Sequence, residues 1–113
     1  MNIKYRRLKV FKILLCIYKI IKWHKSVLFY ISYEQQLDHF ESEMLEWQSA
    51  FLDYMTDRTP EKLKALEMER ADVIISGINL MRFPHAREIV KQKMAINKKR
   101  KWKDGRHIKN LDK

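Results

Sequence analysis

Two glycines and two prolines in 113 residues leave this chain almost without punctuation. Tight turns draw on both residue types, so many short strands are disfavoured and long helices are favoured. At this length there is room for one modest domain. Hydrophobic residues make up 46% of the chain, enough for a core with little to spare. The expectation is an all-α, antiparallel bundle of about four helices, a single domain over residues 1–113, completed by oligomerisation.

Periodicity divides the chain into four helical pieces. From about Lys4 to Lys25, Arg6, Lys9, Lys12, Lys19 and Lys22 form a drifting basic stripe opposite Val10, Leu14, Ile17, Tyr18 and Ile21. That is helical amphipathicity. It suits a membrane surface or, as the plainer reading, a bundle helix with a solvated face. A second helix starts near Tyr33 and runs to about Asp53, with Leu37, Phe40, Met44, Trp47, Phe51 and Tyr54 recurring at threes and fours. Thr59 is placed to cap a third helix and Pro60 to open it. That helix carries Leu63, Leu66, Val73, Ile74, Ile78 and Met81, and Pro84 is expected to end it. A fourth spans roughly His85 to Lys99. Residues 101–113 read as a basic tail, with a turn at Trp102 to Arg106 that a partner or ligand would order. No segment sustains strand alternation, and neither a repeat nor a linker is evident.

The formal charge of +10 is unevenly spread. Residues 1–33 hold eight Lys/Arg and no acid, residues 34–88 six bases against twelve acids, and residues 89–113 ten bases against two acids. Basic flanks around an acidic centre suit a polyanion drawn towards a metal, or equally a nonspecific nucleic-acid affinity. The lone Cys16 makes no internal disulfide and fits a reducing compartment. The basic start followed by Ile13 to Tyr18 superficially resembles a signal peptide. Lys19 interrupts the apolar run, however, and no small-residue cleavage site follows. No window approaches the roughly 20 apolar residues of a membrane span. A cytoplasmic location is expected.

The acidic centre contains two i, i+3 pairs, Glu43 with Glu46 and Glu69 with Asp72. Residues three apart share a helix face, so each pair offers two carboxylates to one point. The short loop after the second helix makes the two helices antiparallel neighbours, and the pairs then face each other. Converging carboxylates raise one another's pKa and resist burial, which a hard divalent cation relieves. Mg²⁺ is the usual choice beside phosphate, with Mn²⁺ its common substitute. Asp72 abuts Val73, Ile74 and Ile75, so partial burial of that ligand is expected. The plainer reading of any one acidic pair is an ordinary solvated surface. Lys93, Asn97 and Arg100 sit at spacings of four and three on the fourth helix, which suits a phosphate clamp or a solvated basic face.

These motifs in order resemble the MazG-like, all-α nucleoside triphosphate pyrophosphohydrolases. The resemblance rests on Glu43-x-x-Glu46, twenty-two intervening residues, and Glu69-x-x-Asp72. It continues in Lys93-Met94-Ala95-Ile96-Asn97-Lys98-Lys99-Arg100, which is similar to that family's KMxxNxxR segment. Lys22-Trp23-His24 and Tyr33-Glu34-Gln35-Gln36-Leu37 look like its entry into the first ligand helix, so the likeness covers roughly residues 20–103. It implies a dimer or tetramer converting an NTP or dNTP to monophosphate and pyrophosphate. Glu43, Glu46, Glu69 and Asp72 would hold Mg²⁺, and Lys93, Asn97 and Arg100 would grip the phosphates. The metal's role would be to neutralise the triphosphate and help generate the attacking hydroxide. Glu46 is the choice for orienting the water.

Trp23, His24, Gln36 and Trp47 are candidates for reading the base by stacking and amide hydrogen bonds. Against this, Trp47 at helical spacing suits a core position and His24 a cap. The chain departs from the family in its basic first twenty residues and in the bulky Trp47 after Glu46. Other readings are a phosphoribosyl-ATP pyrophosphohydrolase-like enzyme and a noncatalytic helical module binding nucleic acid through its basic termini. His39 with Glu43, and His85 with Glu88, are spaced to share a helix face, but neither forms a zinc pattern.

Overall fold

The computed structural model describes residues 3–27 and 31–108, and the protein is all-α. Its helices are α1 (Ile3–Val27), α2 (Tyr33–Thr56), α3 (Pro60–Leu80) and α4 (Pro84–Lys99), followed by β1 (Trp102–Lys103) and β2 (Arg106–His107). The chain divides into two compact units, Met1–Arg82 and Phe83–Lys113.

Local chemistry fixes the helix ends. Ser32 caps α2 by accepting the Gln35 N–H at 3.1 Å, while Gln35 Oε1 accepts the Ser32 N–H at 2.8 Å. This reciprocal box satisfies two donors that a helix start leaves bare and is worth about 1 kcal/mol. α2 continues past the expected Asp53 to Thr56 because nothing in Tyr54-Met55-Thr56 breaks a helix. Asp57 then closes it, its N–H donating to the Asp53 carbonyl at 3.1 Å. Thr59 caps α3 through the Lys62 N–H at 3.2 Å, with Pro60 in the first turn, as the sequence predicts.

Two expectations are corrected. Pro84 does not end α3, which closes at Leu80 with Met81 as its cap. Instead Pro84 opens α4, and Phe83 before it takes the extended conformation a pre-proline residue prefers. Nor does the tail await a partner for order through residue 108. Trp102 pairs with His107 and Lys103 with Arg106 across a two-residue turn, antiparallel. Asp104 and Gly105 both have positive φ, 52° and 74°, as that turn demands. The remainder of the expected tail, residues 109–113, lies outside the described residues.

Within the first unit, α2 and α3 form an antiparallel hairpin, and α1 packs against α3. Gly77 of α3 faces the Phe40 ring of α2, where a Cβ would meet Cε2 at 3.4 Å, an ordinary contact. Leu66 is the one apolar side chain buried outright among the described residues. The sequence suggested apolar content sufficient for a core, yet most of that content stays at the surface of the single chain. Leu45, Leu52, Met68 and Ile74 are all more than half exposed, at 66%, 64%, 56% and 59%. Among the described residues, buried polar side chains outnumber buried apolar ones, namely His24, Gln36, Ser76 and Asn79.

Candidate metal centre

The hairpin brings the acidic pairs to matching levels. Glu43 lies fourteen residues before Asp57 and Asp72 thirteen after Thr59, while Glu46 and Glu69 lie eleven before and ten after the same points. Helix rise is equal on both strands of the hairpin, so Glu43 comes level with Asp72 and Glu46 with Glu69. One carboxylate oxygen each from Glu43, Glu69 and Asp72 lie within 4.8 Å of one another. Glu46 is exposed and stands outside that trio, but its charge acts on both Glu43 and Glu69.

Burial follows a different order from the one expected. Glu43 and Glu69 are half-buried, whereas Asp72 is exposed. Asp72 has the short side chain and sits at the rim, so its apolar sequence neighbours do not enclose it. Burial pushes the Glu43 carboxyl up, reinforced by the charges of Glu46, Asp72 and Glu69 and opposed by His39. Burial likewise raises Glu69, with Glu46 and Asp72 adding to it. His39 Nε2 lies 3.5 Å from Glu43 Oε1, one helical turn away.

The donor set fits a hard divalent cation. Three oxygen donors converge, and Glu43 Oε2 and Glu69 Oε2 are both buried without a hydrogen-bond partner. A buried carboxylate oxygen lacking any donor is costly, and a cation is the counterpart that like-charged neighbours do not provide. Oxygen-only ligation favours Mg²⁺, Mn²⁺ or Ca²⁺ over zinc.

Beyond the carboxylates, a polar node ties the three helices of the first unit together. Gln36 Nε2 donates to both Ser76 O and Ser76 Oγ, each at 3.1 Å. Arg82 Nη1 meets His24 Nδ1 at 2.6 Å. Arginine has only donors, so Nδ1 accepts and the neutral ring carries its proton on Nε2. That nitrogen, Gln36 Oε1 and Asn79 Oδ1 are all buried without a hydrogen-bond partner. Asn79 is fully buried and donates to the Ile75 carbonyl at 2.9 Å.

Of the residues expected to read a base, His24 and Gln36 therefore sit inside this node, while Trp23 is 59% exposed. Trp47 is half-buried with its Nε1 unpartnered. Ser76, Asn79 and Arg82 escaped the sequence reading. Their only signal is a three-residue polar spacing through the apolar end of α3 and the turn after it.

The second unit holds the basic cluster. Lys93 is exposed, and Asn97 and Arg100 are half-buried. Arg100 leaves the helix as its C-cap, yet its guanidinium returns to Asn97 Oδ1 at 3.4 Å. Trp102 Nε1 donates to the Asn97 carbonyl at 2.8 Å, fastening the β-hairpin to the helix end.

Fold and site together define the class: an all-α chain with a three-carboxylate, oxygen-only cluster set in a helical hairpin. Comparison with family models, with curated proteins and with solved structures finds no match.

Proposed function

We propose that the chain is a Mg²⁺-dependent nucleotide pyrophosphohydrolase, acting as an oligomer on NTPs or dNTPs to give the monophosphate and pyrophosphate. The observation that carries this reading is the meeting of Glu43, Glu69 and Asp72 within 4.8 Å, with two buried carboxylate oxygens left without donors. These are the positions at which the sequence resembles the MazG-like enzymes. A bound Mg²⁺ would neutralise triphosphate charge and lower the pKa of a water near the α-phosphorus. Glu46, exposed beside Glu69 and outside the trio, is the carboxylate left to accept the water's proton. By the same resemblance, Lys93, Asn97 and Arg100 of the second unit are the candidates for binding phosphate, with Asn97 Oδ1 accepting a bond from the Arg100 guanidinium.

The sparse core supports oligomerisation. A chain with 46% hydrophobic residues that buries Leu66 alone among its described apolar side chains leaves Leu45, Leu52 and Ile74 for a second copy to cover. The nucleic-acid reading draws on one observation, the half-exposed Trp102 between Lys101 and Lys103 on the β-hairpin.

The deciding experiment is pyrophosphate release from a panel of NTPs and dNTPs, with Mg²⁺ and with EDTA. Metal-dependent formation of monophosphate and pyrophosphate is expected. A folded protein silent across the panel, yet binding single-stranded DNA in a salt-sensitive way, would replace the enzyme with the nucleic-acid module.

A further inference from the structure

α1 packs against α3 only over its second half. Ile17, Ile20 and Ile21 are partly covered and His24 is buried, whereas every side chain from Arg6 to Cys16 is exposed. Those three uncovered turns are not a polar surface. Leu8, Phe11, Leu14, Leu15 and Tyr18 are exposed at 55%, 62%, 58%, 37% and 59%. Spaced by threes and fours, they form one continuous apolar stripe along the helix. Lys12 and Lys19 flank the stripe, Lys9 opposes it, and Arg7 and Lys22 bound it at either end. Lys22 Nζ lies 5.9 Å from the centre of the Tyr18 ring.

Charge selects the occupant. Residues 1–33 carry eight bases and no acid, so an α1 helix from a second copy would be repelled along its full length. A surface both apolar in depth and negative at its face is what this helix matches. An anionic bilayer surface has that chemistry. Apolar side chains enter the headgroup–acyl boundary, long basic side chains reach back to the phosphates, and Tyr and Trp favour the interface itself. Trp23, further along α1 and 59% exposed, adds such an interfacial aromatic. No described helix is long and apolar enough to cross a membrane, which leaves α1 the geometry of lying on one.

We infer that the exposed half of α1 docks the protein onto anionic lipid surfaces through the Leu8–Phe11–Leu14–Leu15–Tyr18 stripe and its surrounding lysines and arginines. The inference is independent of the nucleotide reading, since none of these residues belongs to the carboxylate cluster. Each base near a negative surface strengthens attachment roughly fivefold, and the effect fades as salt screens it.

The test is flotation of the full chain with phosphatidylcholine vesicles, with and without phosphatidylglycerol. Binding is expected only to the anionic vesicles, and to disappear in about 1 M salt, where the screening length is about 3 Å. Phe11→Glu should weaken it by about tenfold or more, and the double variant Lys12→Glu, Lys19→Glu by at least as much. Both sites are exposed, so circular dichroism should show unchanged helix content. Failure of the folded protein to float with anionic vesicles would overturn the inference, as would equal binding to neutral ones. So would a Phe11→Glu variant that floats like the parent. If Phe11→Glu dissociates an oligomer in gel filtration while no vesicle binding is found, the stripe is a subunit interface instead.

Discussion

The α2–α3 hairpin carries two polar clusters of opposite character. Around Glu43, Glu46, Glu69 and Asp72, like groups gather, burial and neighbouring charges push the Glu43 and Glu69 carboxyls up, and two buried oxygens lack donors. Further from the connecting loop, Gln36, Ser76 and Asn79 with His24 and Arg82 pair donors with acceptors across three helices. The second arrangement is a structural tie of neutral amide, hydroxyl and imidazole groups with one arginine, and it too leaves His24 Nε2, Gln36 Oε1 and Asn79 Oδ1 buried without a partner. The first gathers acids of one sign, which is what a cation site requires and a structural cluster avoids. Both are buried to some degree, so burial alone does not tell a site from a tie. Charge compensation does.

Breaking each cluster should therefore have different consequences. The largest effect expected is on turnover. Asp72→Ala or Glu46→Ala should lower metal-dependent pyrophosphate release at least about a hundredfold, a loss typical of damaged metal sites, with the far-ultraviolet spectrum unchanged. Full activity in both variants would remove the carboxylates from the site. In the tie, Gln36→Ala strands the Ser76 groups it now satisfies and should cost about 1–3 kcal/mol in urea unfolding. Its effect on metal affinity should be small.

The pH response sharpens the contrast. Burial, then Arg82 and His39, hold His24 below its ordinary 6.5 against the opposing pull of Gln36. The unfolded ring then takes a proton at a higher pH than the folded one, so its contribution is intact above 6.5 and lost as pH falls from there through the folded value. Glu43 and Glu69 act in the opposite sense. Their folded pKa values lie above the ordinary 4.5, so the metal-free chain gains stability as pH falls through those raised values towards 4.5. Melting temperature against pH should thus lose its acid-side decline in His24→Asn and lose its compensating gain in Glu43→Gln. The smallest effect belongs to Glu69→Gln without metal. Removing one of several like charges should raise the melting temperature at neutral pH, and excess Mg²⁺ should stabilise the parent but not this variant.

The legibility of these features in the sequence follows their locality. Thr59 and Pro60 announced the start of α3 because a cap needs only its own neighbours. The meeting of Glu43, Glu69 and Asp72 was legible for a related reason, since i, i+3 spacing and a short loop bring acids of two helices to one level, whereas the place of Glu46 outside the trio was not. Pro84 was misassigned because the same ring that stops one helix is preorganised to begin the next, and α3 had already closed at Leu80. The exposure of Asp72 was missed because apolar neighbours in sequence point to other faces of the helix. The polar tie was beyond sequence reading altogether. Gln36 and Ser76 are forty residues apart, and His24 and Arg82 fifty-eight, so no local pattern joins them.

Mn²⁺ binding to the metal-free protein, followed by electron paramagnetic resonance, tests the central claim without reference to any substrate. Saturable binding to the parent is expected, competed by Mg²⁺, and at least about tenfold weaker in Glu69→Gln while Gln36→Ala binds as the parent does. Equal Mn²⁺ binding by the parent and Glu69→Gln, or none by a folded parent, would contradict it.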